Sequence, residues 1–163
     1  MEQTGVLERI ESMGEGAVTT EEASYALKVT ALYQDNRTWQ WAADMCNRVT
    51  QFAGARGIHA RSWRVAELAQ PAIFPGAVQA ATLADVIVVS VYAAAQLPHS
   101  FYTWINAWVP RRRLRTGTLV ALIGVPDSPN LHTPFIQEYL AGVADRGELD
   151  FLPRQETTGR RSG

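Results

Sequence analysis

Two apolar runs constrain the fold of this chain more than any other feature of its sequence. They span residues 85–92 (DVIVVSVY) and 118–125 (TLVALIGV), and neither alternates between apolar and polar residues. A strand with one solvated face shows such alternation, whereas a strand covered on both faces is apolar throughout. Because strands of the second kind belong mostly to parallel sheets flanked by helices, the two runs predict an α/β fold.

The rest of the middle of the chain alternates between strand and helix patterns. Further strands are predicted at 26–33, 58–65 and 148–152, and helices at 39–53, 75–83, 100–109 and 134–143. The second strand carries His59, Arg61 and Arg64, which is typical of a sheet edge. Right-handed crossovers with both faces covered favour a flavodoxin-like, three-layer, doubly wound parallel sheet of five strands in the order 2-1-3-4-5.

Both ends of the chain differ in composition from its middle. Residues 1–24 are predicted to be a polar extension, 25–153 the flavodoxin-like domain, and 154–163 a disordered tail of mostly Arg, Thr, Ser and Gly. The tail has no apolar periodicity, so the helix that usually ends this fold is expected to be absent. That absence would expose apolar strands, and we expect a homodimer to cover them. An amino-terminal apolar turn is a second available cover, formed by Val6, Leu7, Ile10 and Met13.

Overall composition excludes several classes of protein. The net charge of the 163 residues is −1, which predicts no nucleic-acid partner. No apolar run approaches the roughly 20 residues of a membrane helix, and the first residues do not resemble a secretory signal, so a cytoplasmic location without a membrane partner is expected. The single cysteine, Cys46, is predicted to be inert core. The basic run Arg111–Arg115 is predicted to be a solvated loop before the fourth strand.

Polar residues follow three strands at the edge where this fold binds ligands. A ligand of an open α/β sheet lies beyond the carboxyl ends of the strands, at the switch between strands one and three, where we expect a protein or small-molecule ligand. The candidate residues are Asp35, Asn36, Arg37, Thr38 and Trp39 after strand one, Tyr92, Gln96, His99 and Ser100 after strand three, and Asp127, Ser128, Asn130 and His132 after strand four.

Residues 84–108 resemble the NAD(P)H-dependent FMN reductases. The resemblance rests on Ala84–Tyr92 (ADVIVVSVY), on Leu97-Pro98 and on Trp104–Trp108 (WINAW). It implies a flavodoxin-like fold, with FMN phosphate at the Asp35–Trp39 loop and Tyr92 near the flavin ring. Three features depart from that family. Its Pro-Glu before the tyrosine is Ser90-Val91 here, its Asn after the tyrosine is Ala93, and its Gly- and Ser-rich first loop is Gln34–Trp39 (QDNRTW).

The sequence suggests two functions, a binding module and a flavin-dependent oxidoreductase, and Asp35 is the residue that distinguishes them. A carboxylate at the start of a helix repels a phosphate and is itself a good helix cap. We therefore favour a non-catalytic binding or interaction module without a cofactor, and the alternative is an FMN-dependent NAD(P)H oxidoreductase.

Three other kinds of chemistry lack their sequence signatures. His99 and His132 match no metal-binding spacing, so no metal site is predicted. No serine lies in a Gly-x-Ser-x-Gly turn, which argues against a serine hydrolase, and no catalytic residue is predicted. The third strand ends in Ser90-Val91-Tyr92 without the acceptor aspartate of a phosphorelay receiver.

Overall fold

The computed structural model describes residues 26–53, 57–112, 116–126 and 134–157. Its strands are β1 (Leu27–Tyr33), β2 (Ile58–Arg64), β3 (Val86–Tyr92), β4 (Thr118–Val125) and β5 (Asp150–Thr157). Its α-helices are α1 (Asn36–Ala53), α2 (Phe74–Leu83), α3 (His99–Trp108) and α4 (Phe135–Arg146), and 3-10 helices span Val65–Ala69 and Val109–Arg112. All strand pairs are parallel, and the order is β2-β1-β3-β4-β5. The predicted flavodoxin-like fold is confirmed.

Element boundaries differ from the predictions at three functionally relevant places. Helix α1 begins at Asn36 rather than Trp39, so Asn36–Thr38 form its first turn rather than a loop. Helix α3 begins at His99, which places His99 and Ser100 on a helix. Strand β5 continues to Thr157, so residues 154–157 pair with β4 and do not belong to a tail. Residues 1–25 and 158–163 lie outside the described residues.

Helices cover the two faces of the sheet unequally. Helix α1 packs on one face, where Ala42 and Met45 contact a cluster that includes Val88 and Leu122. Helices α2, α3 and α4 contribute to the larger core on the opposite face. Within that core Trp104 and Trp108 are fully buried, as their spacing on one helix face predicts. The Trp104 indole donates a hydrogen bond of 3.0 Å to the carbonyl of Ala77 and so joins α3 to α2.

Arg112 is fully buried, so the prediction of a solvated basic loop is wrong for this residue. Its Nη1 atom lies 2.8 Å from the carbonyl oxygens of both Ala81 and Ala84, at the end of α2, and 3.1 Å from that of Thr82. Its Nη2 atom donates to the carbonyl of Thr116 at 2.9 Å. The last carbonyls of a helix have no partners within the helix and carry partial negative charge, so the guanidinium both satisfies and neutralises them.

Gly117 shows how tightly the Arg112 side chain is enclosed. A Cβ atom at this position would lie 2.5 Å from Nη2 of Arg112 and 3.0 Å from the carbonyl oxygen of Asp85. Only glycine permits this approach without displacing the guanidinium. Arg112 therefore joins the end of α2 to the segment that enters β4.

The change Arg112→Met should strongly destabilise the protein. Methionine fills much of the space but supplies no donor to the carbonyl groups that Arg112 contacts, and a buried carbonyl left unsatisfied costs about 1–3 kcal/mol. Urea denaturation should show a clear fall in midpoint for Arg112→Met and almost none for Arg111→Met, because Arg111 is exposed on the same 3-10 helix. Equal midpoints for the two variants would contradict the structural role of Arg112.

Candidate functional site

The loop after β1 is closed by hydrogen bonds between its own residues. Asp35 precedes the first turn of α1, and its Oδ1 atom accepts the backbone N–H of Thr38 at 3.0 Å. In return, Oγ1 of Thr38 accepts the backbone N–H groups of Gln34 and Asp35, both at 2.8 Å. The backbone N–H of Arg37 also donates to the Asp35 side chain. This reciprocal arrangement is a helix N-cap, which confirms the capping role predicted for Asp35.

Strand β3 joins this cluster at its carboxyl end. The Tyr92 hydroxyl donates to the Asp35 carboxylate, at 2.8 Å from Oδ2 and 3.0 Å from Oδ1. The backbone N–H of Tyr92 donates to the Gln34 side chain at 2.8 Å. The buried Ser90 hydroxyl donates to the carbonyl of Thr38 at 2.8 Å. Because β1 and β3 are neighbours in the sheet, these bonds join the start of α1 to the end of β3 at the topological switch point.

The charge of Asp35 is stabilised where it lies. Burial alone would raise the pKa of this carboxyl group, but hydrogen bonds from the Thr38 backbone, the Tyr92 hydroxyl, the Thr38 side chain and the Arg37 backbone hold the pKa below its ordinary value. The pKa of Tyr92 is raised by burial and by its hydrogen bond to the Asp35 carboxylate. At neutral pH the cluster therefore contains an anionic Asp35 and a neutral Tyr92 that donates to it.

All the predicted site residues except Ser100, which is half-buried on α3, fall into three groups in the structure. Asp35, Thr38 and Tyr92 meet in the hydrogen-bonded cluster, together with Gln34 and Ser90. Exposed positions are held by Asn36, Arg37, Trp39, Gln96 and His99. Asp127, Ser128, Asn130 and His132 lie outside the described residues.

Trp39 and Cys46 are both less buried than the core residues of α1. Trp39 is 39% exposed, with its ring 5.1 Å from that of Tyr33. Cys46 is half-buried and packs at the margin of the α1 cluster. Burial raises the pKa of its thiol, which keeps it protonated and supports the prediction of an inert side chain.

A separate open cleft of about 550 Å³ lies beside the start of α3, on the carboxyl side of β2 and β3. Its walls are mostly apolar, with a few polar groups from α3. The lining residues are Leu68, Ala69, Gln70, Pro71, Phe74, Pro75, His99, Ser100 and Thr103. Only His99 and Ser100 were identified from the sequence. Leu68 and Ala69 come from the 3-10 helix Val65–Ala69, whose five residues are too few for a periodic sequence signal.

The described residues contain neither a metal-binding cluster nor a membrane-spanning helix. Among these residues no group of three or more His, Cys, Asp or Glu side chains is arranged to hold a metal ion. Likewise, none of the helices built from them is long and apolar enough to cross a membrane.

Known proteins share the architecture of this chain but little of its sequence. No protein-family model and no curated protein matches it. The Trp repressor binding protein from Bacillus subtilis superposes with a TM-score of 0.51 at 9% identity, over 82% of this chain and 86% of that one. The flavodiiron protein from Giardia intestinalis gives a TM-score of 0.47 at 9% identity, over 86% of this chain and 36% of that one. At such identity the likeness to the Bacillus protein shows the flavodoxin-like fold alone.

Acid should weaken the contribution of Asp35 to stability. Because the pKa of Asp35 is lower in the folded protein, its charged form stabilises the fold above the unfolded pKa, near 3.8, and this contribution is lost as the pH falls through the folded pKa. The difference in unfolding free energy between the wild type and Asp35→Asn should therefore be larger at pH 7 than at pH 3. Denaturant titrations at both pH values measure it.

Asp145→Asn is the matched control for that experiment. Asp145 is exposed near the end of α4, and its substitution changes the net charge by the same amount. A pH-dependent difference of equal size in the control would assign the effect to net charge and not to the Asp35 cluster.

Proposed function

We propose that the protein is a non-catalytic ligand-binding module in which the loop after β1 does not hold a flavin phosphate. One observation supports this proposal: the backbone N–H groups of Gln34, Asp35, Arg37 and Thr38 already donate to Asp35 or Thr38 side chains. A phosphate at a helix N-terminus depends on free backbone N–H groups and on the positive end of the helix dipole. In this loop these four donors are occupied, and the Asp35 carboxylate lies at that end of the helix.

Binding of FMN would require the cluster to break. The phosphate would have to displace the carboxylate from Thr38, separate it from Tyr92, and remain close to its negative charge. Like charges at a helix N-terminus compete for one favourable position. The cost of this displacement supports a protein that uses another part of the carboxyl edge for its ligand.

FMN at micromolar concentration should not bind to the wild-type protein. FMN fluorescence should stay unquenched during a titration, because four backbone donors of the loop are already used within it and the Asp35 carboxylate repels the phosphate. Asp35→Ser should strengthen FMN binding, since serine still caps the helix but removes the competing charge. Riboflavin, which lacks the phosphate, should not gain from the same change.

Asp145→Ser, at an exposed position near the end of α4, is the control variant for the titration. It should leave the FMN fluorescence unchanged. Stoichiometric quenching of FMN by the wild type would overturn the proposal.

Among the described residues, the cleft beside α3 is a concave surface on this side of the sheet that fits a ligand. Small-molecule sites are typically concave and mostly apolar, with a few polar groups that fix orientation. Leu68, Pro71 and Phe74 supply apolar walls, while His99 and Thr103 supply polar groups. This composition favours a ligand with an apolar body and a small polar end.

Thr103→Trp should block the cleft, and Asn106→Trp should not. Thr103 is exposed and lines the cleft, whereas Asn106 is exposed three residues further along α3 and is not among its lining residues. The amphiphilic dye 1-anilinonaphthalene-8-sulfonate is a suitable probe. We expect its fluorescence enhancement to fall with Thr103→Trp only, and an equal response of both variants would place the dye elsewhere.

The second candidate function is an FMN-dependent NAD(P)H oxidoreductase. It is favoured by the exposed ring of Trp39, which stands beside Tyr33 near the carboxyl end of β1, and by the resemblance of residues 84–108 to FMN reductases. An exposed aromatic ring at this edge is suited to stacking on a flavin. Oxidation of NADPH or NADH that requires added FMN, and that is lost in Trp39→Ala, would establish this function in place of the first.

A further inference from the structure

The face of the sheet that carries α1 contains an apolar groove of about 480 Å³. It is lined by Leu27, Met45, Arg48, Val49, Val86, Thr118, Val120 and Leu152. Leu152, on the edge strand β5, is 46% exposed and extends this apolar lining. Side chains of a strand alternate between the faces, so Asp150, Leu152 and Arg154 all lie on this side of β5, and all three are exposed.

The groove lies at the amino ends of the strands. Leu27, Val86 and Thr118 are the first residues of β1, β3 and β4, and Met45 and Val49 come from the second half of α1. The chain enters the sheet at this same edge, since Leu27 both begins β1 and lines the groove. Whatever directly precedes residue 26 is therefore attached at the border of the groove.

We propose that this groove is the docking site of the chain's own amino-terminal segment, residues 6–13. Val6, Leu7, Ile10 and Met13 recur at the spacing of one helix face, whereas Glu8 and Glu11 fall outside that face. Such a helix would place its four apolar side chains against the groove and keep its carboxylates in water. The docked helix would lie on the same face of the sheet as α1. Among the described residues, α1 is the one helix that covers this face.

The length of the intervening chain permits this docking. Residues 14–25 number twelve and span up to about 40 Å when extended. The distance across the sheet from β1 to β5 is three strand spacings, or about 14 Å. A tether of this length gives the segment an effective concentration on the order of millimolar at the groove.

The carboxyl-terminal end of the chain is a poor occupant by comparison. Residues 158–163 (TGRRSG) contain no large apolar side chain. Because β5 is parallel to the other strands, these residues also follow the opposite edge of the sheet from the groove. The remaining alternative is that a second copy of the chain covers the groove, as the sequence predicts. Measurement of the oligomeric state distinguishes this dimer from docking within one chain.

Limited trypsin digestion of the full chain provides the test. Arg9 is the only Lys or Arg in residues 1–25, so one cleavage reports on the segment. Cleavage of a docked segment follows the population in which it is released. Leu152→Asp places a charge in the groove without touching the segment, and it should accelerate cleavage after Arg9 about tenfold, the factor for each 1.4 kcal/mol of docking energy lost. Cleavage after Arg154, which lies within β5, should stay slow and shows that β5 remains paired.

Variants of the segment keep the test decisive if Leu152→Asp does not fold. The double change Leu7→Asp and Ile10→Asp should accelerate the same cleavage, whereas Glu8→Gln on the other side of the helix should not. Light scattering on the wild type should give the mass of one chain. An unchanged Arg9 cleavage rate in both variants would overturn the proposal. A wild-type mass of two chains that falls to the mass of one chain with Leu152→Asp would also overturn it, because the groove would then be occupied by a second copy of the chain.

Discussion

The contact between the Asp35 carboxylate and the start of α1 governs the carboxyl edge of this protein. The carboxylate accepts hydrogen bonds from backbone N–H groups of the first turn and from the Tyr92 hydroxyl. These bonds connect the start of α1 to the end of β3 at the switch point between β1 and β3. In an open α/β sheet this switch is the usual position of a ligand. A single charged side chain at that point both stabilises the helix and competes with any anion.

At the amino edge of the sheet, Arg112 makes a contact that corresponds to that of Asp35 but has the opposite charge. The Arg112 guanidinium lies against carbonyl groups at the end of α2, just as Asp35 lies against N–H groups at the start of α1. Each charge complements the dipole of its helix and satisfies backbone groups that the helix leaves open. The difference is exposure, since Arg112 is fully buried while Asp35 remains open to solvent. Arg112 is therefore structural, whereas the Asp35 cluster lies where a ligand would be.

The sequence predicted the fold better than it predicted the contacts that define the site. The apolar runs of β3 and β4 and the cap at Asp35 are local patterns, and all were recognised. The bond from Tyr92 to Asp35 joins residues 57 positions apart, and local patterns carry no signal for it. Arg112 lies in a run of arginines that resembles a solvated loop, and its burial depends on the distant end of α2. The end of β5 was missed because 153–157 (PRQET) has few apolar residues, as an exposed edge strand permits.

The backbone amide signals of the loop after β1 test most directly whether its N–H groups are closed to a phosphate. In ¹H–¹⁵N NMR spectra, the resonances of Gln34, Asp35, Arg37 and Thr38 are followed while FMN, and separately inorganic phosphate, is added. Since these N–H groups donate within the loop, we expect their chemical shifts to remain unchanged with both additions. Saturable shifts of these four signals with FMN would contradict the proposal that the loop does not hold a flavin phosphate, and would identify it as a flavin phosphate site.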